Sequence, residues 1–352
     1  MQSNFILTNV IKIGDHVSYE KFINRHSLAD QTFDLEGEYF RLHNYDLDSY
    51  DRKFAIIEFN LNTFNYESNK EYTNELDRRI KLLHSQGFKF IMASPWESKD
   101  NLSRLAYYQN KKLDGAFEWT GGVEWFWFLL FEIHQNKRYK FDHHHKTHDF
   151  LYLNKNPRPH RDELYKQLQS TNILQNSLVS NLNLHPPVRL PEEYESPKTK
   201  SYPLGPSGHL DNTIYEAPYS ATKFSLVSET NDNSHEVFLT EKIWKPIIAE
   251  QLFVVHGNHL TLQTLRDLGF KTFNKYFDES YDLEIDRYEK IKKIIQLCET
   301  LQHSDWKDLY LQTKAIRKHN RENFFNEESL SKSINKTLIG FLEFFDSGQI
   351  TS

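Results

Sequence analysis

The sequence predicts an α/β protein made of two Rossmann-like domains facing each other, with a helical C-terminal segment. Three observations lead there. Short, buried-type apolar runs alternate with amphipathic helical stretches, an order that produces parallel sheets with crossover helices. The 352 residues exceed what a single core comfortably serves. The alternation also starts afresh after the polar stretch DHHHKTHD, Asp142 to Asp149. The expected domains are 1–145 and 146–325, with 326–352 as a helix packing back on the first.

Composition narrows the class. The formal net charge of -6 makes no general case for nucleic acid or an anionic membrane as partner. The 26 Phe, 19 Tyr and 6 Trp supply large buried surfaces, so a mean hydropathy of -0.70 does not signal disorder. Cys298 stands alone, which excludes an intrachain disulfide and a cysteine zinc site and suits a reducing cytoplasm. No stretch approaches the roughly 20 apolar residues of a membrane span. The opening MQSNFILTNVIKIGD lacks a basic leader region, so a cytoplasmic setting is expected.

Along the first domain, Phe5 to Ile13, Lys53 to Phe59, Phe88 to Ser94 and Gly115 to Thr120 read as strands. Glu71 to Ser85 reads as an amphipathic helix with Leu76, Ile80 and Leu83 on one face, stopped by Gly87. Pro95-Trp96-Glu97 follows the third of these strands. A carboxylate beside an aromatic at the C-terminal end of a parallel strand is placed as an acid–base residue often is, and burial against Trp96 would raise its pKa. Glu97 is therefore the candidate base; a first-turn carboxylate that complements a helix dipole is the plainer alternative. Glu58 is a weaker competitor, and Glu118 and Glu124 are further carboxylates among which the sequence does not choose. The stretch from Val123 to His134 is apolar nearly all round and reads as a buried helix. Core packing is the expected role of Trp119, Trp125 and Trp127. In DHHHKTHD the adjacent histidines point in different directions, so a solvated link between domains is preferred over a metal site.

The second domain opens with a strand, Phe150 to Leu153, followed by Asn154-Lys-Asn-Pro-Arg-Pro-His-Arg161. Pro157 and Pro159 end the strand and start a helix. Arg158, His160 and Arg161 thus gather at a helix N-terminus, a placement suited to a diphosphate and awkward for unpartnered cations. Asn176 to Leu184 reads as a further strand. A loose stretch follows, crowded with Pro186, Pro187, Pro191, Pro197, Pro203 and Pro206.

The most informative stretch runs from Phe224 to Phe273 and reads as strand, polar loop, helix, strand, helix, strand. Phe224 to Val227 leads to Glu229. Thr240 is a good N-cap for a helix carrying Glu241, Lys242, Ile243, Trp244 and Ile247. Leu252 to Val255 is a buried strand closed by Gly257, and the helix Leu260 to Leu268 stops at Gly269. In parallel sheets ligands sit beyond the carboxyl ends of the strands, where Glu229 and Thr240-Glu241-Lys242 fall. Beyond it, YFDESYD (Tyr276 to Asp282) is expected to cap the next helix. Helices are expected over 284–302, 305–323 and 328–346.

The pattern F-x-x-x-x-E, polar loop, T-E-K and an apolar strand ending in Gly resembles the donor-binding segment of the α1,3-fucosyltransferases. It also resembles viral and bacterial glycosyltransferases with an F-L-T-E-K-x-x-K-P-I core. The resemblance covers 150–273 with gaps, about a third of the chain, and implies the GT-B arrangement with 1–145 on the acceptor side. It implies that Glu241 holds a ribose hydroxyl and Lys242 a phosphate. It further implies that Asn154 and Arg161, with Arg158 and His160 beside them, meet the donor diphosphate. The expected activity is transfer of a sugar from a nucleotide-sugar co-substrate to a hydroxyl acceptor, a glycan before a DNA base. No Asp-x-Asp ends an apolar strand, so charge neutralisation by side chains rather than metal is expected, with no resident cofactor; the resemblance to the fucosyltransferases implies single displacement with inversion. The alternatives are a phage-type enzyme acting on hydroxymethylated DNA bases and a non-catalytic sugar-nucleotide or glycan-binding protein. No G-x-G-x-x-G follows a strand, which disfavours a dinucleotide oxidoreductase.

Overall fold

Strands form where the apolar runs lie, and within both sheets every pairing is parallel. The computed structural model describes the strand residues 5–11, 31–34, 52–58, 89–93 and 117–119, the helical residues 81 and 85, and 126–333 except 128, 129, 132, 196–212, 233–236 and 331. The chain divides into two compact units, Met1–Trp125 with Ser331–Ser352, and Phe126–Leu330.

In the first unit, β1 (Phe5–Ile11), β2 (Gln31–Asp34), β3 (Arg52–Glu58), β4 (Lys89–Ala93) and β5 (Phe117–Trp119) line up in the order β2-β1-β3-β4-β5. Four of these match apolar runs read from the sequence. Strand β2, with the sequence QTFD, was not anticipated because it has no apolar run to announce it. Lys81 and Ser85 are helical and exposed, as the charged face of the expected 71–85 helix requires. Glu97 lies outside the described residues.

The second unit is an α/β layer around a four-stranded parallel sheet. Its elements are β6 (His148–Asn154), α1 (Pro159–Gln169), β7 (Leu178–Asn181), α2 (Glu216–Ala221), β8 (Thr222–Ser228), α3 (Glu241–Ile248), β9 (Leu252–His256), α4 (Thr261–Asp267), α5 (Arg287–His303) and α6 (Trp306–Phe324). The sheet order is β7-β6-β8-β9. The chain leaves β6 toward β7 on one side and returns to β8 on the other, so the winding reverses beside β6. A crevice opens at the carboxyl ends of strands where such a reversal occurs. Strands β8 and β9 are buried almost throughout, because helices cover both faces of a parallel sheet.

Local chemistry fixes the helix ends. Thr240 caps α3, its hydroxyl accepting from the Lys242 N–H. Gly269 takes φ +85 just past α4, where a side chain would be strained. Two expectations need correction. Residues 270–273 form no strand; Phe270 and Phe273 are buried all the same, as anchors of a loop. Asp282 does not cap the helix after it. Its carboxylate accepts from the Leu262 and Gln263 N–H groups at 2.9 and 3.2 Å, so it caps the preceding α4, while Asp286 caps α5. Leu260, the residue before α4, sits at φ 64 and offers no side-chain cap, which leaves that work to a distant carboxylate.

Trp127 is fully buried in the second unit. Its indole stacks 5.8 Å from Trp244, stands edge-on to Phe270 at 5.0 Å, and donates Nε1 to the Phe324 carbonyl at 2.9 Å. The His-rich stretch folds on itself: Asp142 accepts from the backbone N–H groups of His144 and His145. Lys146 donates to the Asp142 and Tyr219 carbonyls, and its ammonium stands 5.4 Å from the Tyr310 ring centroid. Arg317 lies 3.6 Å from the same centroid. Among the described residues no His, Cys, Asp and Glu group is arranged to hold a metal ion, and no helix is long and apolar enough to cross a membrane.

Candidate functional site

The carboxyl ends of β6, β8 and β9 converge on Glu229, the first residue after β8. Its N–H donates to the His256 carbonyl at 2.8 Å, extending the ladder by one step. Its own carbonyl accepts from His160 Nε2 at 2.9 Å, Arg161 Nε at 3.2 Å and Arg161 Nη2 at 2.9 Å. Its carboxylate, fully buried, accepts from the Thr240 N–H at 3.2 Å and the Thr240 hydroxyl at 2.5 Å. Burial pushes the Glu229 pKa up, against the pull of Lys242 and Thr240. Gly257 packs closely against Thr261: a Cβ there would stand 2.9 Å from Thr261 Oγ1, while its 3.5 Å separation from Glu229 Cβ would be ordinary contact.

Thr240 passes the network on to the start of α3. Lys242 Nζ donates to Thr240 Oγ1 at 3.0 Å, Thr230 Oγ1 at 3.2 Å and Glu241 Oε1 at 2.7 Å. Burial works to raise the Glu241 pKa, but Lys242 and Lys245 outweigh it and hold the carboxyl below its ordinary range. The Lys242 side chain is 23% exposed and that of Glu241 12%, so an ammonium and a carboxylate stand side by side in a partly buried pair.

Helix α1 supplies the opposite wall. Arg158 is its N-cap and makes no capping bond; the Nε atom is buried without a partner. Arg161, buried, also donates to the Asn156 carbonyl at 3.2 Å, so its guanidinium pins the loop before α1 to the end of β8. Burial works against its charge, with Glu229 and Glu241 as compensating carboxylates. His160 Nδ1 stands 3.4 Å from Asp232, whose carboxylate is also held by Arg287. Burial drives the His160 pKa down to about 4 despite Asp232.

The residues anticipated from sequence in the second unit therefore share one neighbourhood. His160, Arg161, Glu229, Thr240, Glu241 and Lys242 join through direct bonds; Arg158 is tied in through its carbonyl, which accepts from the Arg161 N–H, and Asn154 lies beside the Tyr152 hydroxyl. Their roles divide more finely than sequence suggests. Arg161, His160 and Glu229 are largely committed to one another, and the three Lys242 donors go to Thr240, Thr230 and Glu241, so a phosphate at Lys242 takes over one of those bonds; Arg158 Nε keeps a free donor.

Apart from Asn154, sequence reasoning missed the final rung of the sheet. Asn181, Asn154, Ser228 and His256 end β7, β6, β8 and β9, and all are buried. Asn154 pairs with Asn181 and Ser228 with His256, while Leu151 opposite Ser225 carries Asn154 to the level of Ser228. Residues level with one another in a parallel sheet point to one face, so this is a polar row. Ser228 Oγ and both His256 ring nitrogens lack a hydrogen-bond partner, and Asn154 approaches the Tyr152 hydroxyl without completing a bond. A signal was present in the sequence: apolar LFVV gives way to His256 directly before Gly257.

Compared with known protein families, curated proteins and solved structures, the chain matches none.

Proposed function

We propose that the protein is a nucleotide-sugar-dependent glycosyltransferase of the GT-B arrangement, with the donor held by the second unit. One observation carries the reading: Glu241 and Lys242 stand together at the start of α3, tied through Thr240 to Glu229 at the carboxyl end of a parallel strand. Lys242 offers a point charge to a phosphate, and Glu241 accepts from sugar or ribose hydroxyls. Arg158 adds a forked cation at the helix start opposite.

In the reaction the acceptor hydroxyl oxygen forms a bond to the anomeric carbon of the donor. The bond from that carbon to the phosphate oxygen breaks, and the nucleoside diphosphate leaves with the electron pair. Lys242 and Arg158 stabilise the charge developing on it. The hydroxyl proton passes to a carboxylate, for which Glu97 is the choice from sequence. A single displacement of this kind inverts the anomeric centre, and the acceptor is a glycan in preference to a DNA base, given the net charge of -6. The protein works in the cytoplasm without a resident cofactor.

A thermal-shift panel of nucleoside diphosphates and nucleotide sugars tests this. Selective stabilisation by one base, followed by transfer or slow hydrolysis of the matching sugar donor, is expected. Stabilisation without transfer or hydrolysis would turn the reading into a non-catalytic binding protein; no stabilisation by any donor would sink it.

A further inference from the structure

The last rung of the second sheet holds more hydrogen-bonding capacity than the protein itself uses. His256 is fully buried, yet neither ring nitrogen has a partner. Its ring stands edge-on to His160 at 5.4 Å. The charged and titratable groups acting on it are His160 and Arg161 from α1, and Lys290 and Arg287 from α5. The nearby carboxylates are committed elsewhere: Asp232 to Arg287 and His160, Glu229 to Thr240. Lys290 is itself buried, and its ammonium donates to the Gly257 carbonyl at 3.0 Å, directly beside His256. Asp282, Asp232 and Glu284 act on Lys290 only from a distance. Ser228, level with His256 on the next strand, adds a buried hydroxyl that approaches the Tyr152 hydroxyl without completing a bond.

A sealed core has no use for such a group. An unpartnered buried imidazole costs stability that Leu in the same place would not. The charges that act on His256 are all cationic, with the Lys290 ammonium held beside it on the Gly257 carbonyl, and an anion with several acceptor oxygens complements that arrangement.

We propose that the carboxyl end of β9 is a binding site for a small oxyanion of the phosphate class, received by the His256 imidazole, the Lys290 ammonium and the Ser228 hydroxyl. The anion is either free phosphate or a phosphate group of a nucleotide, and only the second source rests on the donor reading above. An oxyanion against His256 favours the protonated ring, so binding takes up a proton near neutral pH.

The full-length protein is titrated calorimetrically with inorganic phosphate, and separately with uridine and guanosine diphosphates, in two buffers of different ionisation enthalpy. Saturable phosphate binding with proton uptake is expected. His256→Asn weakens it by about 10–100-fold and abolishes the uptake, as loss of a charged hydrogen bond does. His256→Leu raises the melting temperature and removes binding; if it does not fold, Lys290→Gln carries the same test. No phosphate binding up to about 10 mM, or binding indifferent to these variants, overturns the site. Diphosphates that bind equally well to His256→Leu while phosphate binds neither protein overturn the site and leave the donor reading standing. Phosphate binding that needs His256, with no response to any nucleotide, keeps the site and removes the donor reading.

Discussion

Arg161 reaches Glu229 through the main chain: the guanidinium donates Nε at 3.2 Å and Nη2 at 2.9 Å to the carbonyl oxygen, while the Glu229 carboxylate turns away to Thr240. An arginine at a helix start suggests a ligand contact, but two of its bonds hold the end of β8 against α1. Its first contribution is to shape. Arg161→Ala should therefore lower folding stability by about 1.5–3 kcal/mol, the range for hydrogen bonds to a charged group. Urea unfolding measures it, and an unchanged midpoint removes the clamp.

Lys242 stands in the same network with its ammonium at the rim, 23% of the side chain exposed. Lys242→Ala should weaken nucleoside-diphosphate binding by about 1.5–3 kcal/mol; it also removes the bonds to Thr230, Thr240 and Glu241, so affinities are compared where both proteins are folded. Calorimetry on wild type and variant decides. Equal affinity in both proteins would take Lys242 out of the donor site.

The His-rich stretch carries a pH effect. Burial lowers the Lys146 pKa from 10.5 to about 7, helped by Arg317 and opposed by Asp142. The folded protein then binds fewer protons than the unfolded chain between those values, so stability rises with pH from about 7 toward 10.5. Burial, with Lys146 and Arg317, likewise lowers His143 to about 4, and its share of the rise falls between about 4 and 6.5. Lys146→Met should flatten the upper part of the curve. Denaturant unfolding between about pH 6 and pH 9 shows it; parallel curves for the two proteins would contradict the assignment.

Trp127 is a core residue and offers no face to a sugar. Trp127→Ala should cost about 3–5 kcal/mol, through the lost contacts with Trp244, Phe270 and Phe324 and the abandoned Phe324 carbonyl. A change in acceptor use with unchanged stability would reverse that reading.

Glu97 tests the chemistry itself. A general base speeds the chemical step and contributes little to donor affinity. Glu97→Gln should reduce transfer by about 10²–10⁴-fold with donor binding unchanged. Retention of more than about a tenth of the turnover would pass the role to Glu118 or Glu124, the next to be changed.

Much of the second unit was legible in the sequence because its signals are local. Thr240 announces a cap, Gly269 a helix end, and the apolar runs at 224–227 and 252–255 two buried strands; each depends on residues a few positions away. What escaped depends on partners far along the chain. Asp282 caps α4 from about twenty positions beyond it, across a turn that no pattern specifies. Phe270 to Phe273 has the look of a strand, but β9 pairs with β8 alone among the described residues, and tertiary packing buries those rings in a loop instead. For the site, residue types at strand and helix ends were enough to name residues that the fold brings into one neighbourhood. They could not show that a carbonyl oxygen would absorb the strongest donors, nor that His256 would close the rung.

Trp127 also bears on how the chain can be taken apart. A fragment begun at the His-rich stretch would leave an indole-sized hollow between Trp244, Phe270 and Phe324 and strand a carbonyl in it. Recombination with another protein at that point would inherit the same wound. The natural cut lies before Phe126, so evolutionary exchange of the second unit must carry the Trp127 helix along as its own cork.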